Sequence, residues 1–256
     1  MLLELPQFAV VALCIMAAFL PPLVIAYVVH LLLPGDRVKS FAGAEPAIIG
    51  TVSLLFGLFA AFLANDIWTR NQMARQSLFE EGDAIRNLAR LAEGDADVTG
   101  TMRTALAAYI DAVVDKDWPA MRDGKHSKGI LPRVRAISTL IVSGPVAQGV
   151  GPVVQAKMLE AFTTMRERRQ TRTFLAEERN FTIKWHALIL FGVLTQLAIT
   201  ITHLTKPRPM LLAHMVFGCA LATCLAILVT NEFPYSSLNP IGPDPLIKAR
   251  ESLFRD

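Results

Sequence analysis

The side chains in this chain that could carry chemistry are charged groups set beside apolar runs. The first is Asp66, in the stretch FAAFLANDIWTR (59–70). On a helix it lies one turn below Phe62, with Phe59 and Leu55 above it and Arg70 one turn further on. Two kinds of chemistry suit that spacing. An acid and an arginine four residues later can pair at a membrane boundary. Repeated around an axis, Leu55, Phe59 and Phe62 would instead form an apolar constriction that gates by dewetting, and Asp66 a carboxylate ring that attracts cations. Glu80, Glu81 and Asp83 follow three to four turns later. They form either a solvated face, with Arg86 placed to pair with Asp83, or a vestibule that extends the cation path. Arg166, Arg168, Arg169 and Arg172 are the densest basic run. They suit a solvated or intersubunit salt-bridge face, anionic lipid headgroups or an anion path.

Catalytic chemistry finds little support. No nucleophile elbow, glycine-rich phosphate loop, HExxH or kinase-type set is present, so no enzyme activity and no cofactor are expected. Cys14, Cys219 and Cys224 lie in apolar runs without metal-ligand spacing, and read as small apolar side chains. His30, His186, His203 and His214 lack acidic partners at helical spacing, so no metal site is expected. Gln196 is a lone polar residue in an apolar run, suited to an interhelical hydrogen bond. The DWP run (117–119) reads as a helix stop with a buried Trp118.

These residues have to be positioned by membrane helices. The chain has 256 residues, 53% of them hydrophobic, a net charge of +3 and a mean hydropathy of +0.42. So small a charge gives no reason to expect a nucleic-acid partner. The apolar residues fall into four runs long enough to span a bilayer: about Phe8 to Leu33, Ala47 to Ile67, Trp185 to Thr202 and Met210 to Thr230. The first lacks the basic start of a signal peptide and is too long for one. Pro21-Pro22 at its middle predicts a kink or break. Trp68 and Trp185 sit at span ends, as interface anchors do. Basic residues concentrate in the long segment between the second and third spans, and Arg70, Arg75, Arg172, Arg179 and Lys184 lie near span ends. The shorter loops contribute only Arg37 and Lys39, and Lys206 and Arg208. The positive-inside bias therefore puts both termini and the long segment in the cytoplasm.

The long segment reads as helices. Leu78, Ile85, Leu88 and Leu91 give Asn71 to Ala92 a helical stripe that continues the second span. Met102, Leu106, Tyr109/Ile110 and Val113/Val114 give one to Thr101–Val114. EGDADVTG (93–100) reads as a turn, and 117–129 as a loop opened by Pro119. Leu131 to Val142 and Val153 to about Leu175 are two more helices. The fold class is all-α: four transmembrane helices, with a helical cytoplasmic domain inserted between the second and third. The domains are 1–68 with spans one and two, 69–180 cytoplasmic, 181–231 with spans three and four, and a 232–256 cytoplasmic tail.

At about 100° per residue, Leu55, Phe59, Phe62, Asp66 and Arg70 fall within an arc of about 80°. Gly50, Ser53, Gly57, Ala60, Ala61 and Ala64 occupy the opposite side. Small residues let helices approach closely in lipid, so that side is expected to pack against a helix of the same subunit.

Further stretches carry a family resemblance: FGLFAAFLANDIW (56–68), EEGDAIRNLARLA (80–92), YIDAVVDKDWPAM (109–121), RERRQTR (166–172), FTIKWHALI (181–189) and EFPYSSLNP (232–240). Their order resembles the bacterial bestrophin-like membrane family from about residue 46 to 246. The resemblance implies a layout like that of bestrophins, oligomeric ion channels whose second helix lines a pore with an apolar neck. The chain is then expected in the bacterial cytoplasmic (inner) membrane, as a homo-oligomer in contact with lipid and passing a small inorganic ion, with Asp66 setting a preference for cations. No acidic cluster here resembles a calcium clasp. The competing expectation is a membrane-anchored interaction or sensing protein without conductance.

Overall fold

The structure is a computed structural model, and it describes residues 7–32, 46–178, 183–204, 206–237 and 240–255. Arg37, Lys39 and Arg179, on which the expected orientation partly rests, lie outside these ranges. The described residues are helical, without a strand. The chain divides into two compact units: Met1–Trp68 with Asn180–Glu232, and Thr69–Arg179 with Phe233–Asp256.

The first unit contains α1 (Gln7–Leu32), the first part of α2 (Pro46–Leu91), α7 (Ile183–Thr202) and α8 (Pro207–Asn231). All four helices are long and apolar enough to cross a membrane. α1 packs on α7 and α8, around Cys14, Ala18, Leu188, Leu221 and Leu225. α1 and α8 come close at Gly218, where a Cβ would sit 2.6 Å from the Phe19 ring. Trp68 is exposed, but Trp185 is 3% exposed and donates its indole N–H to Glu232 at 3.1 Å. Trp185 is thus a core residue rather than the expected interface anchor.

Of the kink or break expected at Pro21-Pro22, the break does not occur, and α1 runs through both prolines. Pro22 has no N–H to give the carbonyl four residues back, that of Ala18. Gln196 Nε2, from α7, donates to that carbonyl at 2.6 Å. Gln196 is 1% exposed and Ala18 fully buried, so a side chain supplies the donor that the backbone lacks. Transmembrane helices tolerate proline on those terms.

The second unit contains the rest of α2, α3 (Ala96–Ala112), a π-helical turn (Val113–Asp117), α4 (Trp118–Arg122), a 3-10 turn (Lys128–Ile130), α5 (Leu131–Ile141), α6 (Gly144–Glu177) and α9 (Asp244–Ser252). Its core joins the expected stripes, Leu78, Ile85 and Leu88 from α2 and Met102, Leu106 and Ile110 from α3, to Ile137 and Ile141 from α5 and Met158 and Met165 from α6.

Three boundaries differ from expectation. α3 begins inside the expected turn because Asp95 caps it, accepting from the N–H groups of Asp97 and Val98 at 3.0 and 3.2 Å. The expected loop after Asp117 begins as a helical turn with Pro119 in its first positions, where proline's missing N–H is harmless. α6 begins earlier than expected and is broken at Gly151, whose φ of 77° and ψ of 164° no side-chain-bearing residue adopts without strain. The stretch after 232 adds α9, packed on α3. Gly82 of α2 lets it in: a Cβ there would lie 3.3 Å from the Pro245 carbonyl.

Candidate functional site

The apolar half of α2 presents three faces. Phe56, Ala60, Leu63 and Ile67, spaced at four, three and four, turn into the first unit; Leu63 and Ile67 are 2% and 5% exposed. About 180° around the helix lie Leu54, Leu58, Phe62 and Asn65, all exposed. Leu54 is 72% and Phe62 51% exposed. Only part of the small-residue stripe packs as expected within the subunit, with Ala60 against the core. Gly50, Gly57, Ala61 and Ala64 are exposed, and a Cβ at Gly50 or Gly57 would meet nothing within 4 Å. The reason is that α2 packs through its larger side chains on the neighbouring arc.

The expected line Leu55–Phe59–Phe62–Asp66 is divided by this packing. Phe59 stacks on Phe191 of α7 at 5.1 Å and meets Phe62 edge-on at 6.4 Å. Leu55 and Phe59 are half-covered, while Phe62 reaches the open face. Leu54 and Leu58 join it there. The period-3.6 pattern could have placed them, but the face opposite the packed one was not known until the packed one was.

Asp66 is not tied to Arg70. Its carboxylate pairs with Lys184, at the start of α7, and both side chains are 38% exposed. Arg70 donates to the Glu178 carbonyl at 2.7 Å and lies 3.5 Å from the Glu178 carboxylate. Lys184 entered the sequence reading only as a positive-inside residue. Its pairing joins residues 118 apart, which local spacing cannot report.

The two adjacent acids further down α2 have different environments. Glu80 accepts from Gln76 at 2.7 Å and pairs with Arg168 at the half-exposed surface. Glu81 is fully buried. It accepts from Tyr109 Oη at 2.6 Å and from Arg172 Nε and Nη2 at 2.9 and 3.2 Å. Its charge is held in the core and does not face a vestibule. Asp83 pairs with Arg86, as its spacing predicted.

Arg172 is also fully buried, 3.6 Å from Asp117 and 5.4 Å above the Trp118 ring. Burial opposes its charge, but Glu81, Tyr109 and Asp117 together outweigh that, and its pKa is held above the ordinary guanidinium value. Burial and the Glu81 charge push the Tyr109 phenol well above its usual range. Asp117 receives Arg169 at 3.3 Å and the Ser127 N–H at 2.9 Å. The expected four-arginine face is therefore divided. Arg172 is core, Arg169 is mostly buried, Arg168 pairs with Glu80, and Arg166 is exposed without an ion-pair partner among the described residues. Helix rotation sets Arg166 apart: it lies about 160° from Arg168 and about 120° from Arg172, whereas Arg168, Arg169 and Arg172 fall within about 100° of one another.

The described residues contain no group of three or more His, Cys, Asp and Glu that could hold a metal ion. The bestrophin-like domain model matches residues 16–246. No curated protein matches the chain. A solved crystal structure of a membrane protein is similar in fold, with a TM-score of 0.66 at 10% identity, covering 95% of this chain and 97% of that one. The long apolar helices and the match over nearly the whole length lead to one assignment: the chain belongs to the bestrophin-like family, a family of channel-type membrane proteins.

Proposed function

We propose that this protein is a homo-oligomeric ion channel of the cytoplasmic membrane, with four transmembrane helices, both termini cytoplasmic and α2 lining the pore. The observation that carries this reading is the open face of α2. Leu54, Leu58 and Phe62 lie on the side away from the packed core, and Asn65 and Asp66 follow them. A ring of such helices would place an apolar neck above a polar mouth, the arrangement that gates by dewetting and selects by charge. The exposed small-residue stripe beside it would allow neighbouring copies to approach closely. Of the expected constriction residues, Phe62 fits best; Leu55 and Phe59 would back it.

Asp66 favours cations in this reading, with Lys184 moderating it, and Glu80 is the acid left for the mouth. The test is conductance of purified protein in planar bilayers. Phe62→Ala and Leu58→Ala are expected to raise the current by widening the neck. A wild type that stays monomeric and passes no current, with neither substitution opening one, overturns the channel and leaves the membrane-anchored interaction protein as the reading.

A further inference from the structure

The second unit contains a cleft of about 600 Å³ between α5 and α6. Its apolar side is Leu131, Val134, Phe162 and Phe174. Its polar side holds three arginines, Arg135, Arg166 and Arg169. Arg135 and Arg166 are exposed and have no ion-pair or hydrogen-bond partner among the described residues. Arg169 is 12% exposed; it reaches Asp117 through Nη2, and its Nε is buried with no partner among the described residues. The acid lining the cleft is Glu177, which pairs with His126. Ser138, Gln170 and Thr173 add neutral hydrogen-bonding groups.

Two arginines without an ion-pair partner among the described residues, in one lining with the Arg169 Nε and two phenylalanines, match one kind of guest. We infer that this cleft binds a phosphate monoester carrying an apolar or aromatic group. The guanidinium forks suit a phosphate dianion with two or more donors. The phenylalanines suit the attached apolar body, and the volume is that of a small-molecule site. A bare inorganic ion would leave the apolar half empty. A soluble aryl or alkyl phosphate and the headgroup end of phosphatidic acid share this chemistry.

The full-length protein in neutral detergent should be titrated calorimetrically with phenyl phosphate, inorganic phosphate and dihexanoyl phosphatidic acid. At least one of the two esters should bind more tightly than inorganic phosphate. Phenyl phosphate as the tighter ester points to a soluble ligand, and dihexanoyl phosphatidic acid to a lipid. Arg135→Gln with Arg166→Gln should weaken that ester by at least about tenfold without moving the melting temperature, because both residues are exposed. Glu177→Gln should tighten it, a gain that a misfolded variant cannot imitate. Two results overturn the assignment: neither ester binding at millimolar concentration, or an ester binding equally well in the double variant. Binding is read without current, so this test stands or falls apart from the channel.

Discussion

Single side chains here compensate for one another across long sequence distances. Gln196 supplies the hydrogen bond that Pro22 withholds from Ala18. Gln196→Leu should therefore cost about 1–3 kcal/mol, while the same change in a Pro22→Ala background should cost much less, because alanine restores the backbone donor. Thermal unfolding of the four proteins of this cycle checks it; strictly additive losses would sink the compensation. Tyr109 and Tyr235 are held protonated by burial. In the unfolded chain their phenols ionise near pH 10, so the folded state binds these protons more tightly. That stabilisation is fully present below about pH 10 and is lost as pH rises through the raised folded values. Tyrosinate absorbance from these two residues should appear together with the loss of helical circular dichroism, not before it. Tyr109→Phe should weaken this alkaline dependence and remove the donor to Glu81, costing about 1–3 kcal/mol. At this scale the sequence showed that Gln196 needs a partner, but a backbone carbonyl as partner leaves no trace in residue types. Nor do neighbouring acids differ in composition: Glu80 and Glu81 separate only by about 100° of rotation.

At the scale of elements, hydrophobic stripes were the most legible feature. The α2 and α3 cores are those that the period predicts, because burial in a helical layer imposes that period. Boundaries were less legible, since single side chains and single φ angles set them. Asp95 starts α3 inside an apparent turn, and Gly151 breaks α6 at a positive φ. No atom lies near enough to Gly151 to clash with a Cβ, so the strain of Gly151→Ala is confined to the backbone. It should destabilise the protein by about 1–3 kcal/mol, visible as a lower melting temperature with unchanged helix content. The α2 faces were legible as faces and misassigned as contacts. Angular sorting separates small from large residues, but which arc meets α7 and α8 depends on tertiary packing.

For the molecule as a whole, the family and the all-helical class were legible because they rest on patterns spread over most of the chain. Lys184 was the missing piece of the candidate ion path, because its pairing is long-range. It leads to a selectivity prediction under the proposed channel reading. Asp66→Asn should reduce cation preference, while Lys184→Gln, which frees the Asp66 carboxylate, should increase it. Reversal potentials under a salt gradient read both, and shifts in the same direction would remove Asp66 from the path.

The π-helical turn at Val113–Asp117 acts on this molecule as a one-residue shim. The Trp118 N–H closes on the Val113 carbonyl, five residues back rather than four, so everything after it is turned by about a quarter of a revolution. Val113, Asp117 and Trp118 all end up inside, where an uninterrupted α-helix would have put Trp118 about 140° around the helix from Val113. A relative shorter by one residue in this turn would have to seat its tryptophan and its arginine-binding acid differently.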